Sequence, residues 1–513
     1  MRYGILLLAL LPARALASTG DVLDCLNAVD VPCAQAALAR MDLERSKDPD
    51  LLYAAARTAF FAGEYETAYL RIARAVELGF EDRWDEASLY ERTWKVHAGF
   101  VEVVREDRYV VRYRPGLDAV MLEEVFDVMR RSEEHIAPIL GGRPPGRVTV
   151  EIFPSGQTFT EASSLTEKDV KTTGVVALSK WSRLLLTSPR ALGRGYDWQD
   201  TVAHEYVHQV VSHRTHERTP VWLQEALAKY LDNRWEDGKD RFALDPRSEA
   251  LLARAIKDEQ LVPFEMMHPS LAKLPSADMA ALAYAQLASL MQFCVETKGE
   301  GMIAKVLARV DNMEDPRSAL AVEAGFGSFG DLEAAWKEWV KRQGLRDRDV
   351  AESTPTVDAA DDVAADPVMS QRKDLARFIR LGELLLERDH AEAALIEFAK
   401  ADAEDGKTSP LLQTRIGQAH LKLGDLVSAR AQLEKTLELY PDFTLAWKVL
   451  GDLEATSGRP AKAREAYANV VAYDPFDADV HALLVPLYKQ AGDERRAARH
   501  QEQLLILRRG GQG

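Results

Sequence analysis

Three glycines, Gly424, Gly458 and Gly492, lie 34 residues apart, and Ala429, Ala463 and Ala497 keep the same interval, as do Pro441 and Pro475. A fixed period of this length means that one supersecondary unit is used again and again. Within each unit, Gly closes a turn between two helices, and Ala lets their backbones come close where a larger residue would hold them apart. The pattern recurs far upstream as "GEYETA" from Gly63, and again, with its Gly lost, as "RDHAEA" from Arg388. Two helical repeat regions therefore flank a middle of different character.

"GDLVSA", "GRPAKA" and "GDERRA" resemble the tetratricopeptide repeat. That likeness implies α-solenoid regions over residues 18–97 and 373–513, whose stacked helix pairs offer concave surfaces to a protein partner. Between them and the middle, residues 346–372 are acidic and lack aromatics, which predicts a flexible linker.

The chain has 513 residues, too many for one ordinary domain. Its 65 basic and 81 acidic side chains give a net charge of −16, which argues against a nucleic-acid footprint. The start, "MRYGILLLALLPARALASTG", joins Arg2 to an apolar run and a small-x-small site at Ala15–Ala17. It reads as a secretory signal over residues 1–17, and predicts a periplasmic or secreted protein. No later run is apolar enough to anchor the chain in a membrane. Cys25 and Cys33 are close enough to be bridged in an oxidising compartment or to stay as two buried thiols; Cys294 sits in an apolar run and reads as core.

Residues 98–345 mix strands with helices. "RYVVRYR" from Arg108, "RVTVEIF" from Arg147, "GVVAL" from Gly174 and "RLLLTS" from Arg183 read as strands, and nearly everything after Trp198 reads as helix. The expected class is α+β, predominantly helical, with a small sheet leading into helices.

The chemistry lies in "HEYVH", which holds His204, Glu205 and His208. Residues four apart share a helix face, so both imidazoles converge on one ion, and Glu205 stands beside it as a base for an activated water. Zinc wants a further protein ligand, and "PVWLQEALAKY" offers Glu225 one turn into a second helix that Pro220 starts. The extended HExxHxxGxxH form is excluded, because Val211 and Arg214 occupy its Gly and His places; His213 and His216 read as loop or cap residues.

"AHEYVHQVV" followed by "PVWLQEALAKYL" resembles the signature of the peptidase MA-like domains, gluzincin relatives often fused to tetratricopeptide repeats. Ala226 departs from the Gly usual there. The resemblance implies a zincin-like domain with one Zn²⁺ per chain held by His204, His208 and Glu225. It also implies substrate pairing along the edge strand before the metal helix, assigned here to Arg183, Leu184, Leu185, Leu186 and Thr187. Tyr284, in "ALAYAQLASLMQF", is then a candidate for stabilising the oxyanion, Asp232 for orienting a histidine or for a solvated helix end, and Trp336 and Trp339 for core. Two functions follow as expectations: an exported zinc metallopeptidase cutting peptide or protein substrates, its repeats recruiting them or a partner, or a repeat scaffold whose zincin-like domain is inactive or structural.

Overall fold

The computed structural model describes residues 18–82, 85–168, 170, 174–193, 195–236, 243–267, 271, 274–350, 366, 368–369, 372–403 and 409–510. The expected signal at 1–17 and most of the expected linker lie outside them. No described helix is long and apolar enough to cross a membrane. The chain divides into two compact units, one ending at Trp94 and one running from Lys95.

In the first unit, helices Pro49–Phe61 and Tyr65–Glu77 form the pair foreseen at Gly63, which takes φ 76° in the turn while Ala68 is fully buried. Phe60 stacks on Tyr90 at 4.0 Å between ring centres. Helices Thr19–Asn27 and Val31–Leu38 precede this pair, and a disulfide joins Cys25 to Cys33 across a Cα separation of 5.6 Å.

The second unit opens with a five-stranded sheet of β1 (Val101–Arg105), β2 (Tyr109–Tyr113), β3 (Val148–Phe153), β4 (Ala177–Lys180) and β5 (Arg183–Thr187), in the order β1-β2-β3-β5-β4. β1 and β2 are antiparallel, β2, β3 and β5 run parallel, and β4 returns antiparallel to β5. Here one expectation is corrected. Arg183–Thr187 is not an edge strand: β3 and β4 pair with its two sides and all five residues are buried. The run "RLLLT" is apolar on both faces, as a central parallel strand must be. Trp181 and Ser182, at φ 53° and 59°, make the two-residue turn that puts Ala177–Lys180 outside.

Helix Trp198–Thr215 crosses behind this sheet. Val202, Ala203, Tyr206, Val207, Val210 and Val211 are all essentially inaccessible, so the helix is buried around most of its circumference. Asp197 caps its start by accepting from the Asp200 N–H, and His216 ends it in the left-handed conformation at φ 50°. Trp336 is core, as expected, while Trp339 donates its indole N–H to Glu296.

The C-terminal repeats pair Lys373–Glu387 with Ala391–Ala403, Pro410–Lys422 with Leu426–Leu439, Thr444–Thr456 with Pro460–Tyr473, and Ala478–Gln490 with Glu494–Gly510. Gly424, Gly458 and Gly492 turn at φ 77°, 69° and 75°, and Asp389, at φ 59°, fills that place in the copy that lost its Gly. A second glycine series sits mid-helix. A Cβ on Gly382, Gly417 or Gly451 would overlap Phe398, Leu433 or Tyr467 of the next helix. Asp366, fully buried, accepts from the Leu411 N–H and the Ser409 hydroxyl and so ties the end of the linker to a helix start.

These repeats pack on the sheet-bearing part of the unit. Gln503 donates to the Val120 carbonyl and to Glu124, Arg499 pairs with Asp127 at 2.7 Å, and Leu507 joins the main core. The Tyr196 N–H donates to the Tyr473 carbonyl, and Gly195, at φ +67°, lies so close to it that a side chain would collide.

Candidate metal centre

Helix Trp198–Thr215 carries His204 and His208 on one face, with their Nε2 atoms 3.1 Å apart. The chain then reverses through His216–Pro220. Buried Thr215 and Thr219 join their hydroxyls at 2.8 Å across the turn, and Gln224 donates to the Thr219 carbonyl. Pro220 stands at the N-cap of helix Val221–Leu231, whose Trp222, Leu223, Ala226 and Leu227 are buried. That packing swings Glu225 back to the histidines: its Oε2 lies 3.3 Å from His204 Nε2 and 3.4 Å from His208 Nε2. Ala226 sits in an unbroken helix with no exposed surface.

One donor atom from each of His204, His208 and Glu225 falls within 4.8 Å of the others; among the described residues this is the set that converges in this way. The residues fit a cation. Glu225 Oε2 is buried with no hydrogen-bond donor. Burial works against its charge, but His208 and His204 outweigh it and hold this carboxyl well below the usual range. In return, although burial alone lowers His208, Glu225 pushes it up to about 9. A field that favours a protonated imidazole favours any positive charge at the same point. Two imidazoles and one carboxylate are also the donor types zinc takes.

Glu205 lies beside the trio and is buried. Burial raises its carboxyl above the ordinary range, opposed by His208 and His204 and by a hydrogen bond from the Ser179 backbone. Tyr284 faces the same place: burial, then the charges of Glu225 and Glu205, keep its hydroxyl protonated far above its ordinary value.

Other expected participants stand elsewhere. Arg183–Thr187 is inside the sheet. Asp232 orients no histidine and is no solvated helix end; it is buried and pairs with Lys229 at 2.8 Å. His213 lies in the last turn of its helix, and His216 meets Asp311 at 2.6 Å. Two contributors went unforeseen. Gln224 Oε1 lies 3.2 Å from His208 Nδ1, and the Ser179 backbone reaches Glu205. Adjacency to Glu225 was the one sequence sign of Gln224; a backbone donor leaves none.

His204, Glu205 and Tyr284 line a cleft of about 600 Å³. Its lining also includes Val176 and Ala177 beside the metal helix, and Tyr440–Phe443 and Tyr473 of the repeats.

Residues 136–342 match the model of the Peptidase MA superfamily, and residues 414–478 that of the tetratricopeptide repeat. The chain carries a Peptidase MA superfamily domain. The matched Peptidase MA segment contains both helices of the metal centre, and the repeat match falls within the C-terminal helix pairs. No curated protein matches the sequence. Solved structures with similar regions include yeast leukotriene A4 hydrolase in complex with bestatin, at 14% identity and TM-score 0.29, covering 79% of this chain and 67% of that one. The native hydrolase from Saccharomyces cerevisiae gives 14% identity and TM-score 0.31, covering 79% and 67%. The Cut9–Hcn1 hetero-tetramer of APC/C gives 12% and 0.25, covering 95% and 78%.

Proposed function

We propose that this protein is an exported zinc metallopeptidase, with His204, His208 and Glu225 holding one zinc ion and Glu205 acting as general base. The observation that carries this reading is the meeting of three donor atoms beside a buried carboxylate, with His204 and Glu205 lining an open cleft. Bound zinc supplies Lewis acidity, which brings the pKa of water towards neutrality and polarises a carbonyl. Glu205 takes the proton at its carboxylate; burial raises its basicity towards working pH, where proton transfer is most efficient. Tyr284, still protonated, donates to the carbonyl oxygen as charge grows on it.

Substrate backbone pairs with β4, whose one strand partner among the described residues is β5, and not with Arg183–Thr187. The signal at 1–17 directs the chain to the periplasm or beyond, and the repeats bind the substrate or a protein partner.

Zinc content and peptide hydrolysis, measured on wild type and Glu205→Gln, test this directly. The expected result is one zinc in each protein and a loss of kcat of about 10²–10⁴-fold in the variant. Zinc retained without hydrolysis in either protein would leave the repeat scaffold with a structural zincin-like domain as the better account.

A further inference from the structure

The repeats reach the metal centre's own cleft. The turn Tyr440–Phe443, between helices Leu426–Leu439 and Thr444–Thr456, and Tyr473, at the end of helix Pro460–Tyr473, line the same space as His204 and Glu205. This wall is fixed in place, because the Tyr473 carbonyl accepts from the Tyr196 N–H just ahead of the metal helix.

The cleft is also charged in one sense. Apart from the metal-centre residues, its described lining carries five aspartates, Asp197, Asp200, Asp232, Asp245 and Asp442, against two cations, Lys229 and Arg247. Both cations already have carboxylate partners, Lys229 in Asp232 at 2.8 Å and Arg247 in Asp278 at 2.7 Å. The field is felt at two separate points. Asp232, with Asp245 and Asp200 adding, raises the Lys229 ammonium above its ordinary value despite burial. On the repeats, burial and then Asp197, Asp442 and Asp200 raise the Tyr473 hydroxyl. Beside these charges, Pro441 and Tyr473 offer apolar surface of the sort that takes the methylene stem of a long cationic side chain.

We infer that the cleft takes an extended peptide bearing a lysine or arginine side chain, which the C-terminal repeats help to read beside the metal centre. The repeats then select substrate at the point of cleavage, in addition to any recruitment at a distance. This rests on the peptidase reading for what happens to the peptide, but not for whether it binds.

The test uses the full-length, zinc-loaded Glu205→Gln protein, so that bound peptide stays whole. Fluorescence anisotropy compares N-acetylated, alanine-based peptides carrying one lysine, one norleucine or one glutamate, and an unblocked norleucine peptide. The lysine peptide is expected to bind about tenfold tighter than the acetylated norleucine peptide, and the glutamate peptide weakest. Adding Asp197→Asn and Asp442→Asn, which keep shape and remove charge, brings the lysine and norleucine peptides to within about twofold of each other. Equal binding of lysine and norleucine peptides, no binding of any, or a preference unchanged by the double substitution would overturn the inference. So would an unblocked norleucine peptide that matches the lysine one, since the cation read would then be the N-terminus. Hydrolysis by wild type separates the two claims. Equal cleavage of lysine and norleucine peptides sinks this inference and spares the peptidase, whereas selective binding without cleavage does the reverse.

Discussion

Gln224 Oε1 and His208 Nδ1 face each other at 3.2 Å across the two helices of the metal centre. The amide cannot usefully flip, because its Nε2 already donates to the Thr219 carbonyl at 3.0 Å. Gln224 therefore accepts from His208 Nδ1–H, so Nε2 is the nitrogen turned towards His204 and Glu225 and the one that gives up its proton when a cation binds. Partners of this kind set ring orientation and tautomer. Gln224→Leu should weaken zinc binding by about 10–100-fold, while Gln224→Glu, which keeps an acceptor, should hold it near wild type. Competition with a chromophoric chelator measures this; an unchanged affinity in the Leu variant contradicts the role.

Gly451 lies inside helix Thr444–Thr456 with the Tyr467 ring against its Cα. On propensity alone, Gly451→Ala should stabilise a helix. Here the added methyl meets a ring only 2% exposed, which has nowhere to go. The substitution should cost about 1–3 kcal/mol, read as a lowered denaturation midpoint; a stabilised variant would refute the packing argument.

His481 and His500 meet at Nδ1···Nδ1 3.0 Å inside the last repeat, and His481 Nε2 donates to the Pro475 carbonyl at 2.9 Å. His481 must then accept at Nδ1 and His500 donate, so a proton added at His481 Nδ1 would set two N–H groups head to head, and one added at His500 Nε2 would bury a charge. Burial, then His481 and Arg499, hold His500 down to about 3, and burial lowers His481 too. A folded value below the unfolded one near 6.5 means that the unfolded chain binds protons the fold refuses. Stability is then full above pH 6.5 and lost as pH falls, by up to about 1.4 kcal/mol per pH unit for each histidine. Urea midpoints between pH 7 and 5 should fall less steeply for His500→Gln than for wild type; parallel slopes would count against it.

How much was legible follows from how local each signal is. The 34-residue period declares itself because Gly424, Gly458 and Gly492 each need a left-handed turn, and His204 and His208 share a face by helix spacing alone. The mid-helix glycines Gly382, Gly417 and Gly451 passed unread, since their reason is a ring or branched side chain on another helix. β1 went unseen because Val101–Arg105 is largely exposed and has no strong apolar alternation. The edge strand was misassigned for a related reason. "RLLLTS" has the louder pattern, and which of two hairpin strands lies outside depends on β3 pairing with one of them. Nothing in the period foretold that Tyr440–Phe443 and Tyr473 would stand in the metal-centre cleft, since that depends on Gln503, Arg499 and Tyr473 meeting partners far away in sequence.

Glu225 is the residue on which the metal centre depends, for its Oε2 is the oxygen placed against both imidazoles. Zinc per chain and zinc affinity, measured side by side on wild type and Glu225→Ala, probe it most directly. One ion in wild type is expected, with affinity at least about 100-fold weaker in the variant and its helical circular dichroism unchanged. Equal stoichiometry and affinity in the two proteins would contradict the assignment.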